Sequence, residues 1–296
     1  MDDVRVAPGR VGVRRRTLLA AGLATMVLGG SGCRTEPEGA GPAGTLNARN
    51  LSRENPFFIG ARGSARDWPE LTAYGFEQAA ALPEVKAMEI WVCRTSDGVL
   101  VGSADPTTTR LTGKKLTILD ETWATLSSLQ VTSKETTDHG QPSQPFARLE
   151  DLLDRYIDRF VFFVEPRVPE AITNLTAHLI ALGRPERVVW KQPINSNRFD
   201  AAKQHGFSTW GYVLDEPGHT GRNLPRLASS DAIDMLGVAV GRPTTLISSV
   251  VDAAGQNQKP VIAWNVDNKA ALDRALKLGC TGIASRAVRE IVAAPR

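Results

Sequence analysis

The chain has 296 residues, 42% of them hydrophobic and 23% charged, which is enough apolar material for a sizeable buried core and excludes a disordered chain. Its formal charge of +3 resides in the first 32 residues, which hold five Arg and two Asp; the rest is neutral and offers no basic surface for nucleic acid.

Arg5, Arg10, Arg14, Arg15 and Arg16 precede an uncharged stretch, 17–32, that ends at Cys33. This is the order of a secretory signal: a positive segment, a short apolar segment and a small-residue cleavage region. The apolar run is shorter than the ~20 residues a membrane-spanning helix requires. Arg14-Arg15-Arg16-Thr17-Leu18-Leu19 resembles a twin-arginine export signal, and Gly30-Ser31-Gly32-Cys33 resembles a lipobox in which Gly30 replaces the usual Leu. Residues 1–33 are therefore expected to direct export, with Cys33 lipidated and the protein held at the outer face of the cell membrane. Simple signal cleavage, leaving a secreted protein, is the alternative. The polar, Gly- and Pro-rich residues 34–54 read as a flexible linker.

From residue 55 onward, short β-rich runs alternate with helical patterns. The predicted strands are 57–60, 87–92, 160–165, 187–191, 208–213, 235–240, 260–266 and 281–284. Helical patterns span 71–81, 169–182, 244–254 and 268–278, and Gly183, Gly206, Gly255 and Gly279 are placed as helix C-caps. Eight strands in one domain of this length predict an α/β fold, a TIM (β/α)₈ barrel over 55–296. Residues 93–145 break the alternation: Asp97-Gly98 predicts a hairpin turn, followed by a polar run, a helix over 119–129 and a loop over 131–145. They read as an insertion after the second strand, lying over the barrel mouth. In such a barrel Cys93 and Cys280 fall near opposite ends and are not expected to pair.

Six segments in order then carry a resemblance: Ala61-Arg62-Gly63, Pro69-Glu70-Leu71-Thr72, Glu89-Ile90-Trp91-Val92, Ala104-Asp105-Pro106-Thr107, Val164-Glu165-Pro166-Arg167 and Ala263-Trp264-Asn265-Val266-Asp267. Together they resemble the glycerophosphodiester phosphodiesterase family, barrel enzymes that hydrolyse phosphodiesters with two histidines and a divalent cation. The resemblance implies histidines where this chain has Ala61 and Ala104, so no catalytic pair is intact. It implies that Glu89, residue 91 and Glu165 hold the cation, yet Trp91 offers no oxygen ligand. It further implies a substrate role for Trp264 at the glycerol end, and an Asp where Arg286 stands.

Alternation places Glu89 and residue 91 on one strand face. Two readings stand for Glu89 and Glu165: a weak residual Ca²⁺ or Mg²⁺ site, or an ion network with Arg62 and Arg167. The two guanidinium groups could equally receive a phosphate. Among the four histidines, His178 and His205 fall in outer helices, while His139 and His219 lie in loops at the functional end and are candidates for a migrated acid or base. The leading expectation is an exported, membrane-anchored protein of this family that has lost hydrolysis and binds at most a glycerophosphodiester or phospholipid head group, with no resident cofactor. An active phosphoric diester hydrolase using altered residues and a structural partner protein of the cell envelope are the alternatives.

Overall fold

The computed structural model describes residues 45–132 and 140–292. The signal region with Cys33, residues 34–44 of the expected linker, and His139 lie outside the described residues. Eleven strands are described: β1 (Phe57–Ala61), β2 (Val85–Arg94), β3 (Leu100–Gly102), β4 (Gln130–Val131), β5 (Gln144–Pro145), β6 (Val161–Pro166), β7 (Val188–Pro193), β8 (Ser208–Val213), β9 (Met235–Ala239), β10 (Val261–Trp264) and β11 (Gly282–Ser285). Eight of them, β1, β2 and β6 to β11, form a closed parallel barrel with helices between strands, a TIM barrel. Pairing of Phe57 with Gly282 and of Phe58 with Ile283 closes the circle between β11 and β1. All eight expected barrel strands are present, with bounds shifted by a residue or two.

The strands read as continuous apolar runs because both of their faces are covered. One alternating set, including Ile59, Phe163, Val189, Trp210, Met235 and Ile262, fills the barrel. The other, including Phe58, Ile90, Phe162, Trp190 and Val238, packs in the core shared with the helices. Inside the barrel the Trp210 indole depends on a missing side chain: a Cβ at Gly237 would lie 2.2 Å from its Nε1. Leu46, Ala48 and Leu51 join the inner cluster, and the Ala48 amide donates to the Glu186 carbonyl at 2.8 Å. The folded domain thus begins before residue 55, and the expected linker does not extend to residue 54. Its last residues are apolar where they meet the barrel, and Asn47 Oδ1 accepts from the Arg49 and Asn50 amides to shape the turn.

The helices follow their caps. The predicted helix 71–81 is Ala73–Ala80, started by Thr72, whose hydroxyl accepts from the Gly75 amide. Asn268 caps Lys269–Lys277 in the same way through the Ala271 amide. The segment 169–182 opens with the 3₁₀ turn Pro169–Ala171 and continues as Ile172–Ala181. Gly183, Gly206 and Gly279 take the left-handed conformation expected of C-caps, but Gly255 lies inside Thr244–Gln256, and Gln258 adopts the left-handed turn instead.

The insertion begins as the expected hairpin, with β3 antiparallel to β2 outside the barrel. The helix predicted over 119–129 shrinks to a 3₁₀ turn, Ile118–Asp120, and a short helix, Trp123–Ser127. Thr122 caps that helix and the Asp97 carboxylate accepts from the Trp123 amide at 3.1 Å, so the start is pinned late. Within the expected loop 131–145, β4 and β5 pair antiparallel. Cys93 and Cys280 are free and buried. Burial pushes their thiols up to about 12 and about 11, so neither is a thiolate at neutral pH.

The loop after β1 is latched to the helix that follows β11, Val288–Val292. Ser64 Oγ accepts from the Val288 amide at 3.0 Å, and Asp67 Oδ2 accepts from the Arg289 amide at 2.9 Å. Among the described residues no helix is long and apolar enough to cross a membrane.

Candidate functional site

Parallel strands that fill a barrel with alternate side chains leave the last inward residue of each strand at the C-terminal mouth. Here inward residues of seven of the eight strands, Ala61, Glu89 and Trp91 (both from β2), Glu165, Lys191, Tyr212, Trp264 and Ala284, line a pocket of about 290 Å³ together with Arg62, Arg167, Asn265 and Arg286. The expected site residues Arg62, Glu89, Glu165, Arg167 and Trp264 therefore converge on one cavity. Ala61 is part of its wall. Ala104 is not, but its carbonyl accepts from Arg167 Nε at 2.9 Å. Trp91 stays half-buried at the wall, and the mouth is open, not plugged.

The ion pairing differs from the expected network in two of its links. Glu165 does pair with Arg167, Oε1 to Nη1 at 2.6 Å. Arg62 turns instead to Glu70, at 3.0 Å, and Glu70 also receives both terminal nitrogens of Arg110 at 2.8 and 2.7 Å. The hydrogen bond from Arg110 to Glu70 drives the Arg110 pKa still higher. Glu89 meets no arginine; its partner is Lys191, whose Nζ lies 2.6 Å from Glu89 Oε1 and 2.7 Å from Glu165 Oε2. The second contact is a close charge pair without hydrogen-bond alignment, since Glu165 Oε2 has no hydrogen-bond partner among the described residues. Tyr212 donates its hydroxyl to Glu165 Oε1 at 3.1 Å, and burial with that carboxylate holds its pKa well above the phenol range.

Trp91 sits among cations: the Arg167 guanidinium, Lys191 Nζ and the Arg62 guanidinium lie 4.4, 4.6 and 5.1 Å from its ring centre. Arg62 is held in the left-handed region at φ 55°, an uncommon conformation for a residue with a side chain, within a loop that also places Ser64 and Leu71 there. The Arg62 and Arg167 side chains keep 13% and 32% of their surface, so an anion in the pocket can reach both, whereas Lys191 keeps only 7%. Arg286 is clamped on Asp267 through its amide, Nε and Nη2.

Among the described residues no histidine lines the pocket. His219 is buried in its loop, where Nδ1 accepts from the Leu214 amide at 2.9 Å and Nε2 lies 3.0 Å from a Glu216 oxygen. Burial lowers its pKa, and it is absent from the pocket wall. His178 is half-buried and His205 exposed, both on the outer helical layer as expected. Sequence reasoning missed Lys191, Tyr212 and Asn265 on the wall, and Arg110 behind it. The detectable signal for Lys191 was a charged residue in register with inward Val189, at the end of an otherwise apolar strand.

A closed eight-stranded parallel barrel whose mouth gathers carboxylates, guanidinium groups and aromatic rings defines a class, the (β/α)₈ proteins with a polar pocket at the C-terminal face. The particular family follows from sequence: the glycerophosphoryl diester phosphodiesterase family matches residues 62–288, and the chain belongs to it. No curated protein matches. Solved structures share the fold. A putative glycerophosphoryl diester phosphodiesterase from Agrobacterium tumefaciens aligns with TM-score 0.65 at 19% identity, covering 78% of this chain and 94% of its own. An Oleispira antarctica phosphodiesterase, in complex with the product sn-glycerol-3-phosphate, gives 0.65 at 18%, covering 82% and 98%. The Thermotoga maritima glycerophosphodiester phosphodiesterase gives 0.63 at 19%, covering 78% and 95%.

The divalent cation suggested by the family resemblance meets a poor donor set. Of the three positions, Trp91 supplies no oxygen, and an ammonium already lies against both remaining carboxylates. Hard cations of this kind take six or more oxygens, with carboxylates carrying most of the charge. Among the described residues no group of three or more His, Cys, Asp or Glu could hold a metal ion. These residues do not fit the cation.

Proposed function

We propose that the protein binds the glycerol-phosphate end of a glycerophosphodiester or phospholipid head group without hydrolysing it. The observation that carries this reading is the open mouth in which Arg62 and Arg167 present guanidinium surface beside Trp264 while position 61 carries only a methyl group. Guanidinium forks suit phosphate oxygens, and an indole face suits the carbon skeleton of glycerol. The Oleispira enzyme, a relative in fold, holds sn-glycerol-3-phosphate, which supports a ligand of that size and charge. Hydrolysis needs a proton taken and a proton given. Alanines at 61 and 104 can do neither, and His219 turns its nitrogens to its own loop.

One positioned acid or base contributes ~10²–10⁴ in rate, and a cooperating set is lost nearly as a whole when its members go. Purified protein given glycerophosphocholine with Ca²⁺, Mg²⁺ or Mn²⁺ is expected to show no turnover above buffer. Calorimetry or ligand-observed NMR is expected to show binding of glycerophosphocholine or glycerophosphoethanolamine with Kd on the order of millimolar to micromolar. Turnover that survives purification would restore the hydrolase reading. A folded protein that binds neither compound at millimolar concentration would make the arginines scaffold and leave a partner-protein role. We further propose that the domain works outside the cell, held to the membrane by a lipid on Cys33.

A further inference from the structure

We infer that Lys191 is a built-in cation: its ammonium occupies the place between Glu89 and Glu165 where the resemblance puts a divalent metal, and both carboxylates have a cation partner without one. This stands whether or not the pocket takes a head group.

Geometry carries the inference. Lys191 Nζ lies 2.6 Å from one carboxylate and 2.7 Å from the other, so a single point charge bridges two acidic side chains that belong to different strands. All three side chains are nearly closed to solvent, at 7%, 5% and 3% exposure. Two carboxylates brought this close inside a barrel repel each other and demand a cation, and a lysine delivers one without a free ion. Strand alternation explains why it fits: Val189 and Lys191 are consecutive inward residues of β7, so the stem continues the apolar filling and only its tip reaches the acids.

Trp91 completes the exchange. Where the resemblance implies a third oxygen ligand, an indole faces the ammonium at 4.6 Å. Trp210 and Tyr212 add rings at 5.0 and 5.2 Å. An aromatic lining of this kind suits a fixed monovalent cation and offers nothing to a hydrated divalent one, which binds oxygen. The indole at 91 and the amine at 191 act together: the first withholds an oxygen ligand and the second supplies the positive charge. Glu165 is further held by Arg167 and Tyr212, both of which donate to Oε1, while the Lys191 charge lies against Oε2.

The test compares thermal midpoints in EDTA with midpoints in 10 mM CaCl₂ or MgCl₂, for the wild type, Lys191→Ala, and Lys191→Ala with Trp91→Asp. The wild-type midpoint is expected to be the same in all three buffers, with no saturable heat on titration of either ion. Lys191→Ala, which leaves the buried Glu89 without its cation while Glu165 keeps Arg167, is expected to lose stability in EDTA and regain about 3–6 °C at a cation concentration ten times its Kd. The double variant, with an oxygen ligand restored, is expected to respond at lower cation concentration. A folded Lys191→Ala that is indifferent to both ions overturns the inference. So does saturable binding by the wild type that Glu89→Gln abolishes. Should Lys191→Ala fold in no buffer, the wild-type titration decides alone: saturable binding lost in Glu89→Gln overturns the inference, and its absence upholds it.

Discussion

At the scale of single residues, each arginine at the mouth can be removed without stranding a charge. Glu70 keeps both contacts from Arg110 when Arg62 is lost. Glu165 keeps Lys191 and Tyr212 when Arg167 is lost. Arg62→Ala and Arg167→Ala should therefore fold, and their effect should appear in binding. A charge-assisted hydrogen bond contributes ~1.5–3 kcal/mol, so each variant should weaken glycerophosphocholine binding about 10- to 100-fold by calorimetry. Arg286→Ala should change it little, because that guanidinium is committed to Asp267. Equal losses in all three variants would mean a diffuse potential and not a phosphate contact. The convergence of Glu89, Glu165, Arg167 and Trp264 was legible from alternation and strand ends. The partners were not. Arg62 reaches Glu70 because of left-handed backbone at Arg62 and Leu71, which no side-chain pattern announces. Lys191 was hidden in a run, Val188-Val189-Trp190, whose apolar character marked only a strand.

At the scale of elements, the glycines divide by what surrounds them. Gly237 in β9 gives its side-chain volume to Trp210, which is fully buried and packs edge-on to Phe163 with ring centres 5.4 Å apart. Gly237→Ala should cost ~1–3 kcal/mol or more by overpacking, seen as a midpoint about 2–4 °C lower per kcal/mol. Gly255 has open space around it inside Thr244–Gln256, and Gly255→Ala should instead add ~0.5–1 kcal/mol. Denaturant titration of the two variants measures both signs; a neutral Gly237→Ala would mean that the indole can move. The same division explains which elements could be read in advance. Barrel strands carry a long apolar signal fixed by burial on both faces, so their order and bounds emerged directly. The helix after Thr122 did not, because its start is set by a cap and by Asp97 from a distant hairpin. Gly255 misled for a related reason: it resembles a C-cap, but Gln256 and Asn257 still precede the left-handed turn at Gln258.

At the scale of the whole molecule, the proposed lipid on Cys33 is tested by Cys33→Ala, which should move the protein from the membrane fraction to the soluble one with folding unchanged. Mass spectrometry of a mature N-terminus beyond Cys33 without an acyl chain would remove the anchor from the proposal. The latch joining Ser64 and Asp67 to Val288 and Arg289 has a bearing on how such a chain comes into being. Its two halves are separated by 224 and 222 residues, and the β1–β11 seam beside it spans nearly the same distance. Local contacts cannot stand in for a seam of that reach, and the entropy of so long a loop must be met before any of its bonds form. Until β11 has been synthesised, β1 has one barrel neighbour and an open edge. Unsealed strand edges are where chains adhere to one another. The vulnerable interval in the life of this barrel is thus the time before β11 pairs with β1, and that seam is what ends it.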